Sequence, residues 1–273
     1  MADKHVELAE DEIIAARLSN ELQRLIKQLP ANAQVLDWGC GRGRTVLHLR
    51  DAGINAWGVD MDTRVLAQAN TALAGRGLDK EGVLRPLDQI AHFSARRFHL
   101  IFSEETLEHV IDIERLAVES FRLTAPGGYG LHSFPGSRQW HEPHIKIPFV
   151  HWLSSKRLRH AAVLAALFLR AGPRPIWPEA CDQTGRPLPL SCQAGVYASY
   201  LNEKLAYRPI EEMAAVFRNA GFEVGHRCLS PLNIVRRWSP RTWRDNGFPR
   251  GNNLLFLRKP APASILHNHL TQL

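Results

Sequence analysis

Cysteine is scarce in this chain and long hydrophobic runs are absent, and each shortage closes a class of explanation. The four cysteines, Cys40, Cys181, Cys192 and Cys228, form no Cys-x-x-Cys pair and no zinc-ligand spacing. A disulfide scaffold is therefore not expected, and the cysteines read as reduced thiols of a cytoplasmic protein. The longest apolar run, Ala161–Leu169, has nine residues, against the roughly 20 that a bilayer-spanning helix needs. The first 29 residues are charged and amphipathic and lack an apolar central stretch, so no secretion signal is expected there. Internal repeats and low-complexity tracts are also missing. With 45% hydrophobic and 22% charged residues, neither a disordered chain nor a coiled coil fits the composition.

What is present begins with an uneven positive charge. The net charge is +7, and residues 227–259 hold eight lysines and arginines (Arg227, Arg236, Arg237, Arg241, Arg244, Arg250, Arg258 and Lys259) against the single acid Asp245. Such a stretch suits an anionic partner, be it a phosphate-bearing substrate, nucleic acid or an acidic membrane surface, or it is a solvated basic loop.

Apolar residues at three- and four-residue steps predict a helix over 10–29, stopped by Pro30. From residue 33 to 135, β-type runs alternate with helical ones: "AQVLDWG", a helix to Arg50, "AWGVDMD", a helix over 63–76, "VLRPLD", "FHLIFSEE", "DIERLAVESFRLT" and "PGGYGLHSFP". This is the signature of a doubly wound, mostly parallel α/β sheet. The alternation breaks over 136–205, which carries seven of the seventeen prolines, a basic helical stretch at 155–171 and many aromatics and histidines. It resumes with "PIEEMAAVFRNAGF", "FEVGHRC" and "NNLLFLRKP". The expected organisation is an N-terminal helical segment (1–32), one sheet domain built from 33–135 and 206–260, an insertion at 136–205 and a tail at 261–273.

The stretch "VLDWGCGRGRTVLHLRDAGINAWGVDMD" (35–62) carries the chemistry. Glycine has no Cβ and tolerates positive φ, so Gly39, Gly41 and Gly43 between a strand and a helix let a ligand approach the backbone. Asp60 follows Gly39 by 21 positions and stands at the tip of the second strand, where a carboxylate can bind a ribose diol. A nicotinamide dinucleotide would require a further glycine at position 44, and Arg44 stands there. The acidic Asp37 ahead of the loop suits a ligand with an ammonium group better than a pyrophosphate. S-adenosylmethionine has that group and a ribose, and no phosphate.

Together "VLDWGCGRG", "GVDMD", "FHLIFSEETLEHV" and "LTAPGGYGLHSFP" resemble the class I S-adenosylmethionine-dependent methyltransferases, in their small-molecule and glycan-modifying branch. The resemblance covers 33–135 closely and 205–260 loosely. It implies a seven-stranded Rossmann-like sheet and S-adenosylmethionine as the cofactor. Asp37, Gly39, Cys40, Gly41 and Gly43 would line the methionine end, Asp60 would hold the ribose hydroxyls and Met61 would pack on the adenine. Leu87 or Asp88 would contact the adenine edge, and Ser103 would border the sulfonium. "LEHV" at 107–110 would begin the acceptor wall. The family usually has Asp where this chain has His99, at the end of the fourth strand far from the cofactor.

The resemblance implies O-methylation of a small-molecule or glycan acceptor, one that could be anionic. A hydroxyl acceptor needs a base, for which Glu104, Glu105, His109, His132, His141, Glu142 and His144 are candidates. The insertion is read as the acceptor lid, with His141 or His144 near the nucleophile and His109 and Glu105 as the further choices. His141-x-x-His144 lacks a third ligand at a helical spacing, so no metal is expected. Nucleic acid is not the expected partner. An RNA methyltransferase using Trp238 and Trp243 as stacking platforms, and a non-catalytic S-adenosylmethionine-binding protein, are the alternative readings. Contact with a membrane would be peripheral at most, and the oligomeric state is open.

Overall fold

Successive residues of the strands belong to two different apolar clusters, and this alternation builds the molecule. In the computed structural model, residues 19–75, 77, 82–93, 97–137, 139, 141–173, 176–227 and 252–261 are described. Helix α1 spans Asn20–Lys27, β1 Gln34–Trp38, α2 Arg44–Asp51, β2 Asn55–Asp60, α3 Thr63–Ala74, β3 Leu84–Pro86 and β4 Phe98–Glu104. They are followed by α4 Ile113–Leu123, β5 Thr124–Pro135, α5 Lys156–Phe168, α6 Leu190–Glu203, α7 Ile210–Asn219, β6 Glu223–Arg227 and β7 Asn252–Arg258.

Val35, Ala56, Leu100, Phe102, Leu131 and Leu254 face one cluster, together with Leu22 and Ile26 of α1 and Val46 and Leu49 of α2. Leu36, Trp57, Val59, Ile101 and Leu255 face the other, with Leu116 of α4 and Met213 and Phe217 of α7. A strand buried on both faces needs apolar residues at both parities, which is why the sequence shows runs rather than strict alternation.

The seven strands lie in the order β3-β2-β1-β4-β5-β7-β6. β7 is antiparallel to both neighbours and the remaining pairings are parallel, so the expected doubly wound, mostly parallel seven-stranded sheet is the observed one. The order reverses between β1 and β4, and a crevice opens beyond the carboxyl ends of strands at such a switch point. His99 lies at the opposite end of β4, where its Nδ1 accepts the Gln34 N–H at 3.1 Å. It serves the fold there, away from the crevice.

Residues 136–205 form a third apolar cluster of their own, with Ile145, Ile147, Val150, Val163, Ala194 and Tyr197 at its centre. Helix α5 was expected from its sequence. Helix α6 was not: its buried stripe is Gln193, Ala194, Tyr197, Ala198 and Leu201, mostly small or polar, and it follows two prolines. The helix expected over 10–29 is described only as α1, which closes at its cap Gln28, two residues before Pro30. Positions 10–18 lie outside the described residues. No helix among the described residues is long and apolar enough to cross a membrane.

Candidate functional site

The glycine turn is held open by the backbone. The N–H groups of Gly39 and Cys40 both donate to the Val59 carbonyl, at 2.8 and 3.0 Å, which ties the loop to the end of β2. Gly39, Gly41 and Gly43 all have positive φ (86°, 53° and 68°). A Cβ on Gly39 would stand 2.3 Å from Thr106 Oγ1, and one on Gly43 2.3 Å from Leu84 Cδ1. These two glycines are fixed by packing as well as by conformation. Gly41 has open space where its Cβ would be, and only Gly39 of the three is among the residues lining the adjoining cavity. Gly43 caps α2 in the left-handed conformation without a side-chain bond.

Asp60 crosses from the next strand to join this loop. Its Oδ2 accepts the Gly41 N–H at 2.7 Å and its Oδ1 the Asp62 N–H at 2.8 Å. A carboxylate has about four acceptor positions, so these bonds orient it and leave capacity for a diol. Asp37 is buried. Burial raises its carboxyl well above the usual range, and the Glu104 and Asp60 charges add to the rise. A cluster of this kind favours a cationic ligand. Burial also pushes the Cys40 thiol up, which makes Cys40 a packing residue under the loop; its Sγ would lie 2.6 Å from a Cβ on Gly58.

A cavity of about 800 Å³ opens from this loop, in the upper part of the range for small-molecule pockets. Its wall includes Gly39, Asp60, Met61, Leu87 and Asp88, together with Glu105, Thr106 and His109 of the segment after β4. The sequence analysis reached most of these. It did not reach Trp38, Thr106 or Ile90, which also line the cavity; apolar and hydroxyl side chains next to motif residues carry no chemical flag.

Two expectations for the wall need correction. Ser103 is fully buried, and its Oγ lies 2.8 Å from His132 Nδ1. Side chains alternate along a strand, so Ser103 points into the core, and the lining near it comes from Glu105 and Thr106. His132, a candidate base, is stacked on Phe217 with ring centroids 5.2 Å apart, and burial pushes its pKa down to about 3. It is a core residue.

The histidines of the insertion separate. His141 forms an isolated bridge with Pro148, while His144 turns towards the segment after β4. His144 Nδ1 lies 2.7 Å from Glu142 Oε1 and 3.1 Å from the Tyr207 hydroxyl, and Tyr207 donates to the same Oε1 at 2.5 Å. Glu142 Oε2 accepts the Ile145 N–H at 2.6 Å. Burial works to raise the Glu142 carboxyl, but the bonds from His144, Ile145 and Tyr207 outweigh it and hold it below the usual range.

His109 Nδ1 lies 2.8 Å from the Lys204 carbonyl, and its ring centroid is 5.3 Å from that of His144. Beneath both rings sits Glu108, 2% exposed, with its Oε1 3.8 Å from His109 Nε2 and 3.9 Å from His144 Nε2. Burial, with Glu105 and Glu142 adding, pushes the Glu108 carboxyl up to about 8. Burial also lowers the His109 pKa, so this imidazole is neutral at pH 7. Glu108 and Tyr207 were not singled out from the sequence: one sat inside "LEHV" as part of a wall, and the other lies beyond the insertion with no motif around it.

Of the eight lysines and arginines in 227–259, only Arg227, Arg258 and Lys259 fall among the described residues. Arg236, Arg237, Arg241, Arg244, Arg250, Trp238 and Trp243 lie outside them. Lys259 is structural: its Nζ donates to the carbonyls of Phe121 at 2.6 Å and Thr124 at 2.9 Å.

Comparison with known proteins places this geometry. A family described as a methyltransferase domain matches residues 11–227. The chain is similar to a ubiquinone biosynthesis O-methyltransferase of Psychrobacter cryohalolentis, 29% identical over 123 residues, 44% of this chain and 47% of that one. It is also similar to a malonyl-[acyl-carrier protein] O-methyltransferase of Erwinia billingiae, 32% identical over 109 residues, 40% of this chain and 41% of the other. The chain thus spans about half the length of the curated relatives it matches. Among solved structures, a SAM-dependent methyltransferase of Methanosarcina mazei shares the fold, with a TM-score of 0.51 at 17% identity over 90% of this chain and 99% of that one. With the family match extending over most of its length, from residue 11 through β6, the chain belongs to the methyltransferase-domain family.

Proposed function

We propose that this protein transfers the methyl group of S-adenosylmethionine to a hydroxyl of a small-molecule acceptor, sugar-bearing acceptors included. The observation that carries this reading is that Gly39 and Asp60 of the cradle share one cavity wall with His109. At the cradle, Asp60 is oriented for a ribose diol, Gly41 leaves open space, and Asp37 with Glu104 supplies negative charge for the ammonium and sulfonium groups. Met61 and Leu87 offer apolar surface for the adenine, and Asp88 an acceptor for its amino group. The O-methyltransferase relatives support oxygen as the accepting atom.

Transfer from a sulfonium releases a neutral thioether, so in-line placement of the acceptor supplies much of the rate. A hydroxyl must also lose its proton, and the groups for that stand at the His109 end. His109 is on the cavity wall, whereas His141 and His144 are not among its lining residues, so His109 replaces them as the imidazole nearest the acceptor. No described residue of the insertion 136–205 is among the lining residues of this cavity; its segment with Glu142 and His144 meets the acceptor end through His109, whose ring centroid is 5.3 Å from that of His144.

Calorimetry tests the cofactor assignment. S-adenosylmethionine and S-adenosylhomocysteine are expected to bind and NAD not to bind. Asp60→Ala is expected to weaken binding by about 1–3 kcal/mol through the unpaired diol. Equal affinity of the wild type and the variant would remove Asp60 from the site, and comparable binding of NAD would overturn the cofactor reading.

A further inference from the structure

Glu108, His109 and His144 pose a problem that the mechanism above leaves unsolved. His109 Nδ1 faces a carbonyl, which can only accept, so that nitrogen carries the proton and Nε2 keeps its lone pair. His144 Nδ1 faces Glu142 Oε1, which already accepts the Tyr207 hydroxyl, so the same tautomer follows. Both bare Nε2 atoms turn towards Glu108 Oε1. Neither Glu108 oxygen has a hydrogen-bond partner among the described residues, and the carboxylate is buried. Three potential ligand atoms therefore converge without a hydrogen bond joining them. At 3.8 and 3.9 Å, a proton on Glu108 would bridge to neither ring.

We propose that Glu108, His109 and His144 bind one divalent transition-metal cation beside the cavity, where His109 forms part of the wall. The three ligand atoms lie within 4.8 Å of one another. A tetrahedral ion with bonds of ~2.1 Å sets its ligand atoms about 3.4 Å apart, so side-chain adjustments of about 1 Å close the set. Two imidazoles and one carboxylate suit zinc and its first-row neighbours, and they leave one position open as catalytic sites do. Metal-binding histidines characteristically donate their other N–H to a carboxylate or carbonyl; here those partners are Glu142 and Lys204. The two ligand segments are tied through a third: the Ala206 N–H donates to the Glu108 carbonyl at 2.7 Å, and the neighbouring Tyr207 hydroxyl donates to Glu142. The absence of a metal was expected because His141-x-x-His144 lacked a third ligand. The structure groups His144 instead with Glu108 and His109, which follow β4.

This inference rests on the methyl-transfer reading for its use. His109 reaches the cavity wall, so an acceptor oxygen could take the open position. A cation there lowers the pKa of the bound hydroxyl. Its proton passes to solvent, the oxygen forms the bond to the methyl carbon, and the carbon–sulfur pair stays on sulfur as a neutral thioether.

The test is direct metal binding to the full chain after chelator treatment, using Zn²⁺ calorimetry and the visible absorption of Co²⁺. One ion per chain is expected, with affinity at least tenfold weaker in Glu108→Gln and His144→Ala, and intermediate in the second-layer variant Glu142→Gln. S-adenosylhomocysteine titrated into the same metal-free proteins reports whether each variant is folded. Ion binding that the Glu108→Gln and His144→Ala variants leave intact, or no stoichiometric binding by a wild type that binds S-adenosylhomocysteine, would overturn the proposal. An ion bound through these residues in a protein that ignores S-adenosylhomocysteine would support the metal site and overturn the cofactor reading instead.

Discussion

The two ends of the cavity are built on different plans. The cofactor end is local: Asp37, the glycine loop and Asp60 fall within 24 consecutive residues, and backbone N–H groups set its shape. The acceptor end is assembled from three separated segments, 107–109, 142–145 and 200–207, and side-chain bonds set its shape. A backbone-built site depends on conformation, so glycine carries the information. A side-chain-built site depends on complementary partners, and any one of them left alone in the core is costly. The contrast predicts that each end can be damaged without the other.

The largest effect is expected at Gly39. Its φ of 86° disfavours any residue with a Cβ, and the new atom would lie 2.3 Å from Thr106 Oγ1. Left-handed strain and overpacking together amount to about 2–5 kcal/mol. Gly39→Ala is therefore expected to lower the melting temperature and to weaken S-adenosylhomocysteine binding by roughly 30-fold or more. Gly41→Ala meets no neighbour and is expected to lose less stability while still hindering the ligand. Calorimetry and thermal melts of the two variants side by side check this; undiminished binding by Gly39→Ala would show that the loop is not part of the site.

Glu142→Ala breaks the other end. It strips the acceptor from His144, Tyr207 and the Ile145 N–H at once, at a cost of about 2–4 kcal/mol. Denaturant unfolding should show that loss, while S-adenosylhomocysteine affinity stays within about twofold. A parallel fall in cofactor affinity would mean that the two ends act as one unit, and the comparison drawn above would fail.

The same contrast explains what the sequence could disclose. The sheet and the helices that flank it were legible because apolar periodicity and glycine punctuation are local signals. Gly39, Asp60, Met61 and Leu87 were legible for the same reason. Ser103 was misplaced by a single step of the strand alternation, since the motif marks the end of β4 but not which face each residue takes. Tyr207 was invisible because its partner Glu142 is 65 positions away. Helix α6 was missed because Ala194 and Ala198 mark its buried face, and alanine is equally at home on a solvated one. His144 was legible as a candidate base, but not its surroundings: Glu108 and His109 lie 35 or more positions away in sequence, and only the fold brings them beside it.

The smallest effect concerns Asp37, and it sharpens the comparison by asking what one carboxylate does before and after the ligand arrives. Burial raises its pKa well above 3.8, with Glu104 and then Asp60 adding. A carboxyl raised by folding holds its proton more tightly in the folded chain than in the unfolded one. Its contribution therefore favours the folded state fully below the unfolded value of 3.8 and is lost as pH rises towards the folded value. Asp37→Asn removes that loss, so the ligand-free variant should be more stable than the wild type at neutral pH. Cofactor binding should move the other way. An ammonium group favours the ionised carboxylate, so binding releases a proton wherever Asp37 is protonated in the free protein. Affinity should then climb with pH by at most about tenfold per unit, or about 1.4 kcal/mol, and level off above the raised pKa. Calorimetry in buffers of different ionisation enthalpy measures the released proton directly. The Asn variant should bind more weakly, with a flatter pH profile and no proton release from this position. A variant that keeps the wild-type slope would place the titrating group elsewhere, and one that binds as tightly as the wild type would leave Asp37 a packing residue beneath the loop.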